Sequence, residues 1–143
     1  MWQQLFGLTN AVALVAWALL ILGPRRLLPL VRQGGVGLLC AVYVALLVAL
    51  LGGLVDPGRE PGTSASLTDY SVRGLRALFA SDGGIVVGWT HYLAFDPFVG
   101  SWVAEDADRR GMGRWSQAPV LVLTFMAGPA GLLLYLLLRK GRQ

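Results

Sequence analysis

Charged residues and cysteine are scarce in this chain. Of its 143 residues, 14% are charged and one, Cys40, is a cysteine, whereas 55% are hydrophobic. A lone cysteine excludes an intrachain disulfide and a cysteine metal site. The single histidine excludes a haem held by two axial histidines of one chain. The mean hydropathy of +0.61 is higher than a soluble domain of this size needs, and it indicates a membrane protein.

Four windows are almost free of charged residues, and they cover residues 1–24, 33–55, 83–104 and 115–138. Each window is long enough to cross a bilayer as a helix. We therefore predict an all-α membrane protein with four transmembrane helices, at about 2–22, 35–55, 85–103 and 118–138. The remaining residues are too few for a second folded domain or a nucleotide-binding unit. Residues 1–143 are thus predicted to form a single integral membrane domain.

The segment between the second and third predicted spans is predicted to contain a short helix. Ser66-Leu67-Thr68-Asp69 fits a capping box. The apolar side chains that follow share one side of a helix over about 67–80, which is typical of an interfacial amphipathic segment. This helix is predicted either to form a lid over a lateral opening or to lie plainly on the surface.

The basic residues lie in short groups beside the apolar windows, which is typical of a membrane interface and not of a nucleic-acid-binding surface. With four crossings, both termini and the long loop share one side of the membrane. The basic residues then divide equally between the two sides of the membrane, so they do not decide the orientation. One side has Arg59, Arg73, Arg76, Arg139, Lys140 and Arg142, and the other side has Arg25, Arg26, Arg32, Arg109, Arg110 and Arg114. The composition, rich in Gly, Ala, Leu and Arg, favours a bacterial protein of the inner (cytoplasmic) membrane.

The third predicted span differs from the others because it contains the ionisable side chains His91 and Asp96. An ionised side chain in hydrocarbon costs roughly 3 kcal/mol, so such residues are functional candidates by default. On a regular helix, five residues correspond to about 140° of rotation and about 7.5 Å of rise. The two side chains are therefore predicted to flank a ligand from adjacent faces. The structural alternative is that Asp96 caps a broken helix or pairs with a basic residue.

Two segments of the chain, Gly88–Trp102 and Leu123–Tyr135, contain the arrangements W-x-H-x-x-x-x-D and F-x-x-G-P-x-G. In these segments the sequence resembles the small membrane proteins that are similar to plant abscisic-acid-deficient protein four. That family is associated with the formation of neoxanthin from violaxanthin. The similarity in span organisation extends over most of the chain.

The resemblance implies a cofactor-independent isomerase that acts on a carotenoid or another isoprenoid, in which an epoxide opens as a proton leaves a neighbouring carbon. Such a reaction needs an acid at the epoxide oxygen and a base at the departing proton. Asp96 is then the expected acid and His91 the expected base, with Tyr92 assisting at the oxygen. The expected substrate-binding residues are Trp89, Phe95, Phe98, Trp102 and Thr124. No cofactor is implied, and one histidine beside one aspartate provides too few ligands for a closed metal site.

Other functions remain open at this point. A lipid- or carotenoid-binding protein, or an accessory membrane subunit, would use His91 and Asp96 to bind a ligand or a partner helix without catalysis. A small proton-coupled carrier would use Asp96 alone, although the chain has no inverted repeat. The expected partners are an apolar isoprenoid or carotenoid and membrane lipid, with no nucleic acid. Whether the chain forms a homo-oligomer is left open.

Overall fold

The computed structural model describes residues 1–58, 66 and 68–140, and within this part every regular element is helical. The prediction of an all-α fold is therefore confirmed for these residues. A 3₁₀ turn at Arg25–Leu27 and a π-helical segment at Leu30–Val36 connect the first two α-helices. The helices are α1 (Trp2–Leu22), α2 (Gly37–Leu51), α3 (Val72–Leu78), α4 (Asp82–Arg109), α5 (Arg114–Met126) and α6 (Gly128–Lys140).

Two helical segments, Trp2–Leu22 and Arg25–Leu51, are long and apolar enough to cross a membrane. They correspond to the first two predicted spans, although the second begins about ten residues earlier than predicted. The first ends at Leu22 because Pro24 disfavours helical backbone at the residue before it. Arg114 donates hydrogen bonds of 3.2 and 2.6 Å to the carbonyls of Ile21 and Gly23, which satisfies acceptors that the helix end leaves free.

Helices α1 and α4 run side by side in the same direction. At their starts, Gly83 packs so closely on the indole of Trp2 that an added Cβ would lie 3.0 Å from it. At their ends, Arg25 forms a 2.6 Å ion pair with Asp108. The Arg25–Leu51 segment returns antiparallel to both helices. These three segments form the body of the fold.

The predicted fourth span, 118–138, is not one helix. The first half stops at Met126, because Ala127 takes non-helical backbone with φ −152° and ψ 68°. Pro129 then lacks the N–H that would continue the hydrogen-bond ladder. The resulting helices α5 and α6 have 13 residues each, which corresponds to about 20 Å per helix.

The second of these helices folds back along α4. Gly128, where α6 begins, lies beside Asp96. The hydroxyl of Tyr135 donates a 2.6 Å hydrogen bond to Asp106, which lies about 15 Å further along α4. Since α5 also starts next to the end of α4, both ends of the α5–α6 unit lie at that end. The structure therefore replaces the predicted fourth span with a helical hairpin, whose tip (125–129) lies halfway along α4.

The two arms of the hairpin pack closely because Gly131 has no side chain. A Cβ at this position would lie 2.3 Å from both the backbone nitrogen and the hydroxyl oxygen of Thr124. That hydroxyl donates to the carbonyl of Val120 at 2.8 Å, so it is satisfied within its own helix. A larger residue at position 131 would push the two arms apart.

The short helix between α2 and α4 is shorter than predicted. It begins at Val72 and not near residue 67, because the hydroxyl of Ser71 accepts a 3.0 Å hydrogen bond from the N–H of Gly74. Leu67, which belongs to the predicted capping box, lies outside the described residues. Asp69 accepts a 3.1 Å hydrogen bond from the N–H of Ser71, which forms a turn before the helix.

Asp106, which lies beyond the predicted third span, holds the far end of the hairpin. Its carboxylate is 16% exposed and accepts hydrogen bonds from the Tyr135 hydroxyl at 2.6 Å and from Nε of Arg110 at 2.9 Å. The guanidinium of Arg139 lies 3.4 Å away. The Tyr135 hydrogen bond, and then the two arginines, hold the pKa of Asp106 below its usual value.

We expect this carboxylate to make the fold sensitive to acid. Because the pKa of Asp106 is lower in the folded protein than in the unfolded chain, its stabilising contribution is present above the unfolded pKa of about 4. It is lost as the pH falls through the folded pKa. Asp106→Asn should therefore flatten the acid limb of stability against pH, measured by thermal unfolding in detergent. Asp82→Asn, at the other end of α4, serves as the control. An acid limb that stays as steep in Asp106→Asn as in the parent would contradict the assignment.

Candidate functional site

A cavity of about 750 Å³ lies between α1, the middle of α4 and the tip of the hairpin. Its walls are mostly apolar, and its polar groups come mainly from α4. The lining residues are Asn10, Ala13, Leu14, Trp17, Trp89, His91, Tyr92, Leu93, Phe95, Asp96, Phe125, Met126, Ala127, Gly128 and Pro129. The structure thus brings together residues from three parts of the chain.

Five of the eight site residues predicted from the sequence line this cavity. They lie on successive turns of α4, which continues without a break through Pro97. The five are Trp89, His91, Tyr92, Phe95 and Asp96. Continuous helix between the two ionisable residues keeps the rotation that their spacing predicts, so they border one cavity from different faces of α4.

The other three predicted residues lie elsewhere. Phe98 is exposed on α4 outside the cavity. Trp102 packs edge-on against Tyr135 with ring centroids 5.8 Å apart, and the Arg139 guanidinium lies 5.6 Å from its ring centre. Thr124 is buried in the hairpin, with its hydroxyl bonded within its own helix. Trp102 and Thr124 therefore pack the hairpin and do not contact the cavity, in contrast to their predicted role.

The carboxylate of Asp96 rests against the tip of the hairpin. An added Cβ on Gly128 would lie 2.5 Å from Oδ1 and 3.1 Å from Cγ of Asp96, so only glycine leaves room here. Helix α6 begins at this glycine, so its first turn lies beside the carboxyl group of Asp96. In the described part of the chain this carboxylate forms no ion pair. The structural alternative of a pair with a basic residue therefore finds no support among these residues.

Trp89 is held in place by α1. Its indole Nε1 donates a 3.1 Å hydrogen bond to Oδ1 of Asn10. The amide of Asn10 in turn donates to the carbonyl of Phe6 at 2.7 Å, and the Phe6 ring lies 5.9 Å from the indole. These contacts fix the orientation of the indole at one wall of the cavity. The indole N–H of Trp89 and the side-chain amide of Asn10 are thus both hydrogen-bonded, as polar groups in apolar surroundings need to be.

His91 lies among aromatic rings on the other flank of α4. Its ring centre is 4.6 Å from that of Phe95, 5.6 Å from that of Tyr43 and 6.1 Å from that of Tyr92. Tyr43 belongs to α2, whose sequence shows no polar face, so sequence reasoning missed this contact. The two ionisable groups thus have different surroundings: the imidazole lies between aromatic rings and the carboxylate lies against backbone.

The arrangement is suited to proton transfer at an apolar ligand. An acid and a base on two sides of one cavity can act on neighbouring atoms of a bound molecule. The volume falls within the usual range for small-molecule sites. The described residues contain no group of three or more His, Cys, Asp or Glu side chains that could hold a metal ion.

We expect the contact between Gly128 and Asp96 to be measurable as an energetic coupling. Gly128→Ala should destabilise the protein by about 1–3 kcal/mol, because the added methyl group forces the carboxylate or the hairpin tip to move. In an Asp96→Ala background the same substitution should cost clearly less, since the clashing atoms are gone. Thermal or denaturant unfolding in detergent measures both costs. Equal costs in the two backgrounds would show that the contact is absent.

Comparison with protein-family models shows which family this chain is related to. The model described as ABA4-like (ABA DEFICIENT 4-like) matches residues 4–135, which is most of the chain. Comparison with curated proteins and with solved structures gives no match. The matched range includes every residue that lines the cavity, all of α5, and α6 as far as Tyr135. The chain therefore belongs to the ABA4-like family.

Proposed function

We propose that the protein crosses the membrane three times and inserts the α5–α6 hairpin from one side. Trp2–Leu22 and Arg25–Leu51 have the length and composition of membrane spans, and α4 lies alongside them with about 85–103 in the bilayer. Helices α5 and α6, at about 20 Å each, are shorter than the hydrocarbon core of about 30 Å. Since the hairpin turns back at its tip, it enters and leaves on the same side.

This arrangement separates the basic residues of the described chain. One end of the bundle has Arg73 and Arg76, which lie in α3. The opposite end, where α1 and α4 finish, has Arg25, Arg26, Arg32, Arg109, Arg110, Arg114 and Arg139. An excess of arginine marks the cytoplasmic side. We therefore place the ends of the hairpin in the cytoplasm and α3 on the opposite side, in a bacterial inner membrane.

The function that we propose is isomerisation of a carotenoid or another isoprenoid epoxide. The observation that carries it is that His91 and Asp96 border the same apolar cavity, between aromatic walls and the hairpin tip. Apolar walls suit a hydrocarbon ligand. The chain belongs to the ABA4-like family, and this class of chemistry is the one that the resemblance to abscisic-acid-deficient protein four implies.

The reaction needs one acid and one base. The neutral carboxyl of Asp96 gives its proton to the epoxide oxygen as the C–O bond breaks, and the electron pair of that bond becomes part of the new hydroxyl group. The neutral imidazole of His91 takes a proton from a neighbouring carbon, and the C–H electron pair forms a new double bond. The product has the same atoms as the substrate. After the product leaves, a proton passes from His91 back to Asp96 and restores the starting state. During the reaction, Tyr92 helps to hold the epoxide oxygen.

We expect purified protein in detergent to convert violaxanthin into a product of equal mass and different retention, measured by liquid chromatography with mass detection. Asp96→Asn and His91→Ala should each lower the rate by at least about a hundredfold, the usual contribution of a general acid or base. Asp82→Asn, an exposed carboxylate in the first turn of the same helix, should retain the parental rate.

Two outcomes would contradict this proposal. Parental rates in both folded variants would remove the two side chains from the reaction. Tight binding of violaxanthin that is always recovered unchanged would instead identify a non-catalytic carotenoid-binding protein.

A further inference from the structure

A second cavity, of about 450 Å³, lies beneath the short helix α3. Its walls come from the end of α2, from α3 and from the first turns of α4. Among the described residues that line it, none is charged, and most are aliphatic or aromatic. Such a lining favours a hydrocarbon group over a charged headgroup.

The two cavities follow one face of α4. Gly84 and Gly88 line the cavity beneath α3, whereas His91 and Phe95 line the larger one. These four positions recur at i, i+4, i+7 and i+11, so they lie on one face of the helix and extend over about 17 Å. Tyr43 lines the cavity beneath α3, and its ring centre lies 5.6 Å from that of His91. His91 therefore stands at the boundary between the two cavities.

The cover of the second cavity rests on a glycine. A Cβ on Gly88 would lie 2.3 Å from the ring of Phe79, the residue that follows α3, so the ring sits directly on the backbone of α4. Phe79 as a whole is still 47% exposed. Helix α3 has seven residues, and a helix this short is held mainly by its contacts with neighbouring helices. Of the two alternatives that the amphipathic pattern leaves for this segment, a lid or a plain surface helix, the position over the cavity suits the lid.

We propose that the cavity beneath α3 receives the remote, uncharged end of the same elongated isoprenoid whose reacting group lies between His91 and Asp96. The proposal takes the ligand class from the proposed function but does not require that the ligand reacts. Its basis is the continuous face of α4, the uncharged lining and the Tyr43–His91 contact at the boundary. A ligand that extends from one cavity into the other is long and narrow. The cavity beneath α3 thus selects ligands by length.

Ligands of two lengths test this inference by binding alone. Zeaxanthin is a carotenoid with a hydroxylated ring at each end and no epoxide, and retinol has one ring and about half of that chain. Leu47→Trp places a larger side chain in the wall of the second cavity. Val44→Trp makes the same change at a position on α2 that is 54% exposed and outside both cavities. Affinities are measured in detergent from pigment absorbance retained on the protein.

We expect Leu47→Trp to weaken zeaxanthin binding by at least about tenfold, which corresponds to about 1.4 kcal/mol. Retinol binding should stay within about twofold of the parental value, because the shorter chain fits in the larger cavity alone. Val44→Trp should change neither affinity. Leu51→Phe, also in the wall of the second cavity, is the second test variant if Leu47→Trp fails to fold.

Several results would overturn the inference: no zeaxanthin binding by the parent protein, an equal loss for both ligands in Leu47→Trp, or no loss for either. The outcome is distinguishable from that of the proposed function. Selective loss of zeaxanthin binding in a protein that never converts violaxanthin would support the second cavity and contradict the isomerase. The opposite result is a Leu47→Trp variant that converts violaxanthin at the parental rate and binds zeaxanthin with unchanged affinity. It would support the isomerase and contradict the role of the second cavity.

Discussion

The reversal of the chain at Ala127 is the constraint on which the site depends. Non-helical backbone at this residue, followed two positions later by Pro129, ends α5 after 13 residues and starts α6 in the opposite direction. Both short helices then pack on the second half of α4. The reversal places backbone beside the Asp96 carboxylate and brings the far end of the hairpin back to Asp106. A continuous helix over the same residues would do neither.

A reversal in apolar surroundings is tolerated when its backbone polar groups are paired. At the tip, the N–H of Ala127 donates to the carbonyl of Leu123 at 2.8 Å. The N–H groups of Ala130 and Gly131 donate to the carbonyl of Ala127 at 2.8 and 3.2 Å. Pro129 has no N–H to satisfy. These bonds pair most of the backbone N–H groups at the tip.

The parts of the fold that depend on local pattern follow from the sequence. Uninterrupted apolar windows predict α1 and most of the Arg25–Leu51 segment, whose first ten residues the predicted span misses. The five-residue spacing of His91 and Asp96 predicts that their side chains lie on adjacent faces of one helix, and both line the cavity. The hairpin does not follow, because an apolar window of 24 residues fits one crossing as well as two half-length helices. Gly128 and Pro129 indicate a break in the helix both for one kinked crossing and for a hairpin. The contact of Tyr135 with Asp106 shows that the chain forms the hairpin.

The error in the fourth span also affected the prediction of membrane orientation. It divided the basic residues equally between the two sides, whereas the hairpin brings Arg139 to the side of Arg25 and Arg114. Trp102 and Thr124, which the family resemblance assigns to the ligand, both pack the hairpin. Tyr43 was missed because its role comes from a contact between helices that no local pattern records.

The position of the end of α6 tests the hairpin most directly. In a Cys40→Ser background, single cysteines at Gln3, Gly113 and Gly141 can be labelled with a membrane-impermeant maleimide in vesicles of known orientation. The hairpin requires that Gly113→Cys and Gly141→Cys react from the same side and that Gln3→Cys reacts from the opposite side. Reaction of Gly141→Cys together with Gln3→Cys would show that residues after Arg114 cross the membrane once, and would contradict the hairpin and the site built on its tip.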